Sequence, residues 1–339
     1  MTIHATNKGR PLSVYRRNYE TVVITGGTGS FGQAMTKRLL GSDDGPRVRV
    51  FSRDEDKQER MRASLPPGDR LSYLLGDVRD QERLVTAFDG ASEVVHSAAL
   101  KRVMFGEQHV DEFTKTNVIG SRNVVTAAIQ ARVERTLLIS TDKACAPFGA
   151  YGKTKALAED LFRNGNQLGV SRGARFAAVR GGNIWRSRGS VVDVWQAAID
   201  RGEKIQVTDP DMTRFTLAMG DWVAFAERAL AEMRGGEIFV PKPSAYRLGD
   251  LAAVMGSGVI VAGHRSGEKL HEALISPQES ARTVDIGWAY VIEPPPEMRA
   301  VWNYKPWEGT RLTGIEHTSD RAPRLTCAEL AIMLAEGAR

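Results

Sequence analysis

The sequence predicts an α/β protein with a doubly wound parallel sheet, and three observations lead to this prediction. Six short apolar runs recur between residues 21 and 180. They are rich in β-branched residues and apolar on both faces, as buried parallel strands are. The stretches between them carry apolar residues at i, i+3, i+4 and i+7, which indicates one-sided helices. A glycine-rich segment follows the first run. Such alternation produces right-handed βαβ units.

The individual elements can be placed in order along the chain. Strands are predicted at 21–25, 48–52, 71–77, 93–98, 135–140 and 176–180, and helices between them at 31–40, 80–89, 117–131 and 154–168. Beyond residue 182 this alternation fades, although helices are still predicted at 191–201, 220–234, 247–255 and 327–337. We therefore expect a smaller C-terminal region that packs over the ends of the strands.

Composition narrows the range of functions. No apolar run approaches the roughly 18 residues that span a bilayer, and the N-terminus lacks the apolar stretch of a secretory signal. Two distant cysteines, Cys145 and Cys327, exclude a disulfide framework and favour the cytoplasm. Neither cysteine has the spacing of a zinc site, and the six histidines are scattered, so no metal site is predicted.

The net charge of +5 and the pI of about 9.2 favour an anionic partner. Basic runs interleaved with aromatic residues are absent from the sequence. Phosphorylated small molecules fit this charge as well as nucleic acid does, a mildly basic solvated surface is the alternative, and neither a nucleic-acid nor a membrane partner is expected.

Residues 25–32 read TGGTGSFG between the first predicted strand and the first predicted helix. In that position a GxGxxG string predicts a Rossmann-type dinucleotide site. Gly26 permits the tight turn, Gly29 lets the backbone approach a pyrophosphate, and Gly32 allows close packing of helix and strand. The helix N-terminus offers N–H groups to the phosphates. The remaining candidates in this loop are Thr28, Ser30 and Phe31.

The end of the second predicted strand bears on the choice of cofactor. Ser52 and Arg53 precede Asp54 at the position where an NAD-binding protein carries a carboxylate for the ribose hydroxyls. A small hydroxyl beside an arginine suits a 2′-phosphate, so we favour NADP over NAD. The alternative is that Arg53 is merely exposed and Asp54 binds the ribose. After the third strand, Asp77 and Val78 are expected near the adenine.

Tyr151 and Lys155 lie four residues apart at the start of a predicted helix, which places both side chains on one face. A phenol has a pKa near 10 and is a poor base at neutral pH. A nearby ammonium, together with a cationic nicotinamide, would lower that pKa. The pair could then remove a proton from an alcohol while a hydride leaves for the cofactor.

The order of TGGTGSFG, HSAALK, TNVIGSRNV, STDKA and YGKTK resembles the extended short-chain dehydrogenase/reductases that act on nucleotide sugars. STDKA resembles the dehydratase branch, and in detail the inverting UDP-N-acetylglucosamine 4,6-dehydratases. The resemblance runs from about residue 20 to the C-terminus and includes SRDEDKQERM (52–61), GDVRD (76–80), AALKRV (98–103), SRGSVV (187–192), VTDPDMTRF (207–215), GGEIFVPK (235–242), SGEKLHEALI (266–275) and TSDRAPRL (318–325).

This resemblance implies a reaction and a role for several residues. Tyr151 would deprotonate the sugar 4-OH while C4 gives a hydride to NADP, and the resulting ketone would acidify the C5 proton. Inversion at C5 requires two differently placed proton carriers. Asp142 would serve the loss of water from C6, Lys143 the proton transfer at C5, and Thr141 would hydrogen-bond the 4-oxygen. Adjacent opposite charges couple, so neither Asp142 nor Lys143 would titrate alone.

The resemblance also implies contacts to the cofactor and to a UDP-sugar. Ala98, Lys101, Tyr151 and Lys155 would lie near the cofactor, and Lys101 could also reach the sugar. The other expected substrate contacts are Asn183, Arg214, Arg265 and Glu268. The sequence departs from the family pattern at Gly181, where an aromatic residue is usual, and at Arg186, where a small residue is usual.

The domain plan follows from these assignments. It has a polar extension (1–19), an NADP-binding Rossmann domain with the catalytic residues (20–182) and a mainly substrate-binding region (183–339), and the family implies a homo-oligomer. Two alternatives stay open. An epimerase of the same fold would use Tyr151 and Lys155 without needing Asp142 and Lys143, and an NADP-binding regulator would lack turnover.

Overall fold

The computed structural model describes residues 20–66, 68–256, 258–263 and 267–336. Six parallel strands match the six predicted ones and confirm the α/β fold class. They are β1 (Thr21–Thr25), β2 (Arg47–Ser52), β3 (Leu71–Leu75), β4 (Glu93–His96), β5 (Arg135–Thr141) and β6 (Arg175–Gly181). The fourth strand is shorter than predicted, because Ser97 and Ala98 belong to a loop that lines a cleft.

The helices of this first part connect the strands in the expected alternation. They are α1 (Ser30–Leu40), α2 (Glu55–Ser64), α3 (Gln81–Phe88), α4 (Val103–Gln108), α5 (Val110–Phe113), α6 (Gly120–Gln130) and α7 (Ala150–Gly169). The helix predicted at 117–131 is divided, since a π-helical turn over Thr114–Ile119 leads into α6. Among the helices in the described ranges, none is both long enough and apolar enough to cross a membrane.

The C-terminal part adds six helices and eleven short strands within the described residues. The helices are α8 (Val191–Asp200), α9 (Met219–Glu232), α10 (Leu248–Met255), α11 (Pro277–Ser280), α12 (Pro296–Val301) and α13 (Cys327–Glu336). The strands are β7 (Asn183–Ile184), β8 (Ile205–Val207), β9 (Thr213–Leu217), β10 (Ile238–Val240), β11 (Ser244–Arg247), β12 (Val259–Val261), β13 (Ala273–Ile275), β14 (Thr283–Asp285), β15 (Tyr290–Ile292), β16 (Thr310–Arg311) and β17 (His317–Thr318).

Ten of these strands form one sheet in the order β16-β14-β15-β10-β6-β5-β4-β1-β2-β3. β10 continues the parallel part, whereas β15, β14 and β16 are antiparallel additions at the edge. The region after residue 182 therefore extends the sheet as well as covering the ends of its strands. The sequence pattern did not reveal this, because strands of two or three residues are too short to show a period.

The sheet carries an apolar core on each face. Within β1, Val23 packs toward the face covered by α3, α6 and α7, whereas Val22 and Ile24 pack toward the face covered by α1, α2 and α9. Successive side chains of a strand point to opposite faces, so an apolar run without alternation is buried on both. This packing holds the carboxyl ends of the central strands in fixed positions.

Candidate active site

A cleft of about 940 Å³ opens at the carboxyl ends of β1, β4 and β5. The strand order reverses between the neighbouring strands β1 and β4: β2 lies beyond β1, and β5 lies beyond β4 in the opposite direction. Ligands of open α/β sheets bind at such a switch in strand order. One wall of the cleft comes from the loops after these strands, and the other comes from residues 182–194 together with Thr216, Tyr246 and Glu268.

The glycine-rich loop after β1 has the shape of a phosphate cradle. Gly26 has a φ of +68°, and a Cβ there would lie 2.7 Å from the backbone nitrogen of Ala98. A Cβ on Gly32 would lie 2.5 Å from the Cα of Gly27, so helix and loop pack without room for a side chain. Gly29 is the N-cap of α1 and has no side chain to occupy the first-turn N–H groups. The loop therefore fits a dinucleotide pyrophosphate.

Other predicted cradle residues also line the cleft. They are Thr28, Ser30, Phe31, Val78 and Ala98. Thr28 and Val78 are buried, so they shape the wall and present little surface of their own.

The end of β2 separates the two candidate groups for the ribose. Ser52, Arg53 and Asp54 all line the cleft, and Arg53 is more than half exposed, with Nη1 3.6 Å from Asp77. The Asp54 carboxylate accepts from the Lys57 backbone N–H at 2.9 Å, caps α2 and pairs with the Lys57 ammonium. These bonds to Lys57 lower the pKa of Asp54. Asp54 is thus engaged by its own helix.

Asp77 and Lys101 also lie at the cleft. Asp77 accepts from Arg79 at 2.8 Å, and although burial raises its pKa, the bonds and charge of Arg79 lower it overall. Lys101 donates to the Arg188 carbonyl at 3.2 Å. Desolvation, followed by the nearby Arg188 and Arg102, lowers the pKa of Lys101. The Lys101 ammonium agrees with an anionic ligand in the cleft, and the contacts of Asp77 and Lys101 to cofactor or sugar stay predictions.

Tyr151 and Lys155 occupy the first turns of α7 and both line the cleft. The Tyr151 hydroxyl hydrogen-bonds Thr141. Burial raises the pKa of Tyr151 to about 12, and the cation that lowers it most is Lys143. In the protein alone, burial outweighs the charges, and the expected lowering of this pKa by an ammonium together with a cationic nicotinamide stays a prediction. The Lys155 ammonium donates to the Ile139 carbonyl at 2.8 Å, and burial lowers its pKa to about 8.

Asp142 and Lys143 lie at the end of β5, in a short 3₁₀ turn capped by Thr141. Lys143 lines the cleft, and its Nζ is 3.0 Å from Asp142 Oδ1 and 3.3 Å from Glu272 Oε1. Asp142 is fully buried behind it and accepts from the Thr141 hydroxyl at 2.9 Å. Asp142 therefore communicates with the cleft through Thr141 and Lys143.

Glu272 was missed as a functional candidate although its segment, SGEKLHEALI, was part of the sequence resemblance. It is almost fully buried and reaches Lys143 from the C-terminal part of the chain. Nothing local in the sequence marks it, because it meets Lys143 only through the fold.

Asn117 was also missed, and it joins the loop after β4 to α7, the helix that carries Tyr151 and Lys155. Its side chain accepts from the Leu100 N–H at 2.8 Å, donates to the Leu100 carbonyl at 2.9 Å, and donates to Thr154 Oγ1 at 3.1 Å. Phe113 packs edge-on against the Tyr151 ring, with centroids 6.2 Å apart. These contacts fix Tyr151 relative to the cleft wall.

The predicted substrate contacts divide into three groups. Asn183 and Glu268 line the cleft, and Asn183 hydrogen-bonds the buried Tyr246. Arg214 is buried, and its guanidinium donates to the carbonyls of Thr213 at 2.8 Å and Leu270 at 3.1 Å. A phosphate contact from Arg214 would have to replace or share these bonds. Arg265 lies outside the described residues, as does the extension 1–19.

The two departures from the family pattern both lie at the cleft. A Cβ on Gly181 would lie 2.7 Å from the ring of Trp222, which lines the cleft and packs edge-on against Phe31. Arg186 has a φ of +50° and donates to the Leu334 carbonyl of α13 at 3.0 Å. In this chain Trp222 occupies the space beside residue 181, which explains why that residue is glycine.

Comparisons with known proteins agree with the sequence resemblance. A family model described as polysaccharide biosynthesis protein matches residues 22–294. The chain is 40% identical over 280 residues to a UDP-N-acetylglucosamine 4,6-dehydratase (inverting) of Campylobacter jejuni, which covers 82% of this chain and 84% of that protein. It is 37% identical over 328 residues to a UDP-glucose 4-epimerase of Rickettsia akari, covering 93% and 95% of the two chains. The predicted family is confirmed.

Solved structures share the fold. The X-ray structure of Pen from Bacillus thuringiensis superposes with a TM-score of 0.86 and 30% identity, covering 94% of this chain and 99% of that one. The dTDP-glucose 4,6-dehydratase DesIV from Streptomyces venezuelae, with NAD and TYD bound, gives a TM-score of 0.69 at 18% identity, covering 93% and 96%. The latter similarity concerns the fold alone.

Proposed function

We propose, since this chain belongs to the family of polysaccharide biosynthesis proteins, that it is a nucleotide-sugar dehydratase. It converts UDP-N-acetylglucosamine, or a close UDP-hexose, to a 4-keto-6-deoxy sugar with inversion at C5. The observation that carries the proposal is the buried group of Asp142, Lys143 and Glu272 beside Tyr151. An epimerase needs a base at the 4-hydroxyl but has no step for which such a group is required.

The first step is proton removal from the sugar 4-hydroxyl. Tyr151 is the base, and the Thr141 hydroxyl holds the 4-oxygen beside it. Lys143 stabilises the phenolate by its charge, and Lys155 is still largely cationic at neutral pH. A bound nicotinamide supplies a hydride acceptor for C4 and later a hydride donor for C6.

The later steps move protons at C5 and C6. Lys143, which lines the cleft, exchanges the proton at C5. Asp142 supplies the proton with which the C6 hydroxyl leaves as water, through Thr141 and Lys143, its two polar contacts. Inversion requires that the proton that returns to C5 arrives from the face opposite to the one it left, so removal and return use two differently placed carriers, of which Lys143 is one. Lys143→Ala should therefore abolish incorporation of solvent deuterium at C5.

Mass spectrometry of UDP-N-acetylglucosamine incubated with the protein tests the function. Loss of one water supports dehydration, and proton NMR of the product then gives its configuration at C5. An unchanged mass with a changed C4 configuration identifies the epimerase, the activity named for the Rickettsia akari relative. No turnover of any UDP-hexose supports the regulatory alternative.

We also propose that the cofactor is NADP. All of Ser52, Arg53 and Asp54 line the cleft, and the support is that the Asp54 carboxylate is already bound to Lys57 at the start of α2, whereas Arg53 is more than half exposed. Arg53→Ala should weaken NADP binding about tenfold or more, as loss of a charge-assisted bond does, and should change NAD binding less. Arg62→Ala, an exposed arginine of the same segment, is the matched control. Equal losses for both cofactors would identify Arg53 as a general contact.

The oligomeric state and the cellular location complete the proposal. Exposed apolar side chains on α4 and α7, among them Met104, Phe105, Leu157 and Leu168, support a homo-oligomer. Light scattering on the purified protein measures this state. The two unpaired cysteines support a reducing, cytoplasmic location, and fractionation of cells that express the protein tests it.

A further inference from the structure

Glu272 is brought to the catalytic turn by backbone contacts of the C-terminal part. Its N–H donates to the Ser319 hydroxyl at 2.9 Å, and the Ser319 N–H donates back to its carbonyl at 2.8 Å. It directly precedes β13, which pairs with β17. The side chain is held within 3.3 Å of Lys143 Nζ, opposite Asp142. The contact is thus built from several elements of the fold.

One ammonium here faces two buried carboxylates. The second oxygens of both, Asp142 Oδ2 and Glu272 Oε2, are buried without a hydrogen-bond partner among the described residues. Arg214 and Lys269 also act on Glu272, whereas, among the described residues, Lys143 is the one cation that acts on the fully buried Asp142 and shares its charge with Glu272. A buried carboxylate with so little compensating charge is stabilised by binding a proton. The cluster of Asp142, Lys143 and Glu272 therefore has room for one stored proton.

The surrounding charges decide which carboxylate holds that proton. Arg214 and Lys269 face Glu272 and, with Lys143, lower its pKa although burial raises it. Burial has the largest effect on the pKa of Asp142 and raises it. Glu272 raises it further, Lys143 and Thr141 lower it, and the overall direction is upward. Tyr151 and Tyr246, the other titratable groups facing the cluster, are held protonated by burial. Of the two carboxyls, Asp142 is therefore the one that binds a proton more readily.

We propose, resting on the dehydratase function above, that Glu272 is a positioning residue that binds Lys143 as an ammonium and so leaves Asp142 as the proton store. In water loss, a proton from Asp142 forms an O–H bond at the C6 oxygen, and the C6–O bond breaks. The electrons of the C5–H bond form the C5–C6 double bond, and the C5 proton goes to Lys143 while Lys143 passes one of its own protons to the Asp142 carboxylate, so that Lys143 remains an ammonium. Asp142 is a carboxylate between these transfers, and the proton count is unchanged.

Glu272→Gln keeps the shape of the side chain and removes its charge, so Asp142 loses its proton at lower pH. The alkaline limb of the rate of water loss, followed by mass spectrometry, should move down by about one pH unit or more. In infrared spectra, the protonated carboxyl band that Asp142→Asn removes should titrate at correspondingly lower pH. Asp320→Asn, which removes an exposed carboxylate next to Ser319, is the control and should leave both readouts unchanged.

A Glu272→Gln protein with an unshifted pH profile and an unshifted infrared band overturns the inference. The Glu272→Asp variant retains the charge, so the infrared band of the protonated Asp142 carboxyl should titrate as it does in wild type. The same band should be missing from the Asp142→Asn variant. These two measurements decide the matter even if Glu272→Gln does not fold. If wild-type protein removes no water from any UDP-hexose, the proposed function fails, whereas the infrared titration still tests the proton store.

Discussion

A buried network of ion pairs joins α7 to the C-terminal part of the chain. The Glu279→Gln variant measures how much this network contributes to stability. Arg180 on β6 is fully surrounded: its guanidinium binds Glu159 of α7 at 2.6 Å and Glu279 of α11 at 2.8 Å. Glu279 also accepts from the Ser276 N–H at 3.0 Å and the Ser276 hydroxyl at 2.9 Å. The carboxylate therefore has a charged partner and a capping role.

The magnitude follows from the pKa of Glu279. Burial raises this pKa, but the charge and hydrogen bonds of Arg180 and the bonds from Ser276 outweigh burial and lower it from 4.5 to about 2. Each pH unit corresponds to about 1.4 kcal/mol, so the ionised carboxylate adds about 3 kcal/mol to the free energy of unfolding at pH 7. A depressed pKa stabilises above the unfolded value and loses its effect as the pH falls toward about 2. At pH 3 about 1.4 kcal/mol should remain.

Urea denaturation at pH 7 and at pH 3 tests this. Glu279→Gln should be less stable than wild type by about 3 kcal/mol at pH 7, and the difference should fall by roughly half at pH 3. Glu297→Gln, at an exposed carboxylate with no such partners, should change the free energy of unfolding by about 0.5 kcal/mol or less. A Glu279→Gln effect that is the same at both pH values would refute the electrostatic explanation.

Three further predictions concern the cleft. Tyr151→Phe should lower turnover by roughly a hundredfold or more, as loss of a positioned base does, and should leave cofactor binding measured by titration unchanged. Burial lowers the pKa of Lys155 to about 8, so its side chain loses its charge above that pH. The value of kcat should therefore decline above pH 8. A kcat that stays constant across that pH range contradicts a role for Lys155 as a cation. Gly181→Ala should force the Trp222 ring aside and lower stability by about 1–3 kcal/mol in thermal unfolding, whereas Gly220→Ala, with open space around its Cβ, should not destabilise.

The sequence was sufficient wherever the information is local. Buried parallel strands are continuous apolar runs, so six strands could be placed from composition and length. The phosphate cradle depends on three glycines within seven consecutive residues, Gly26, Gly29 and Gly32. Tyr151 and Lys155 lie close together because residues four apart share one face of a helix. These features need no knowledge of distant parts of the chain.

The sequence did not show which charged side chains are buried or which other charges they face. Burial, and not the neighbouring Lys155, dominates the pKa of Tyr151, and Asp142 lies behind Lys143 instead of on the cleft wall. Which side chains are desolvated depends on packing from both halves of the chain. The sequence showed which ionisable side chains are present, and the fold decided which of them are buried and which charges they face.

The sequence by itself determined the α/β fold, the glycine loop, the Tyr151–Lys155 pair and the family. The tertiary structure alone decided that β10, β14, β15 and β16 extend the sheet and that Glu272 meets Lys143. The reason is physical: strand and helix patterns arise from neighbours in the chain, whereas a buried charge is balanced by whichever residues the folded chain packs around it.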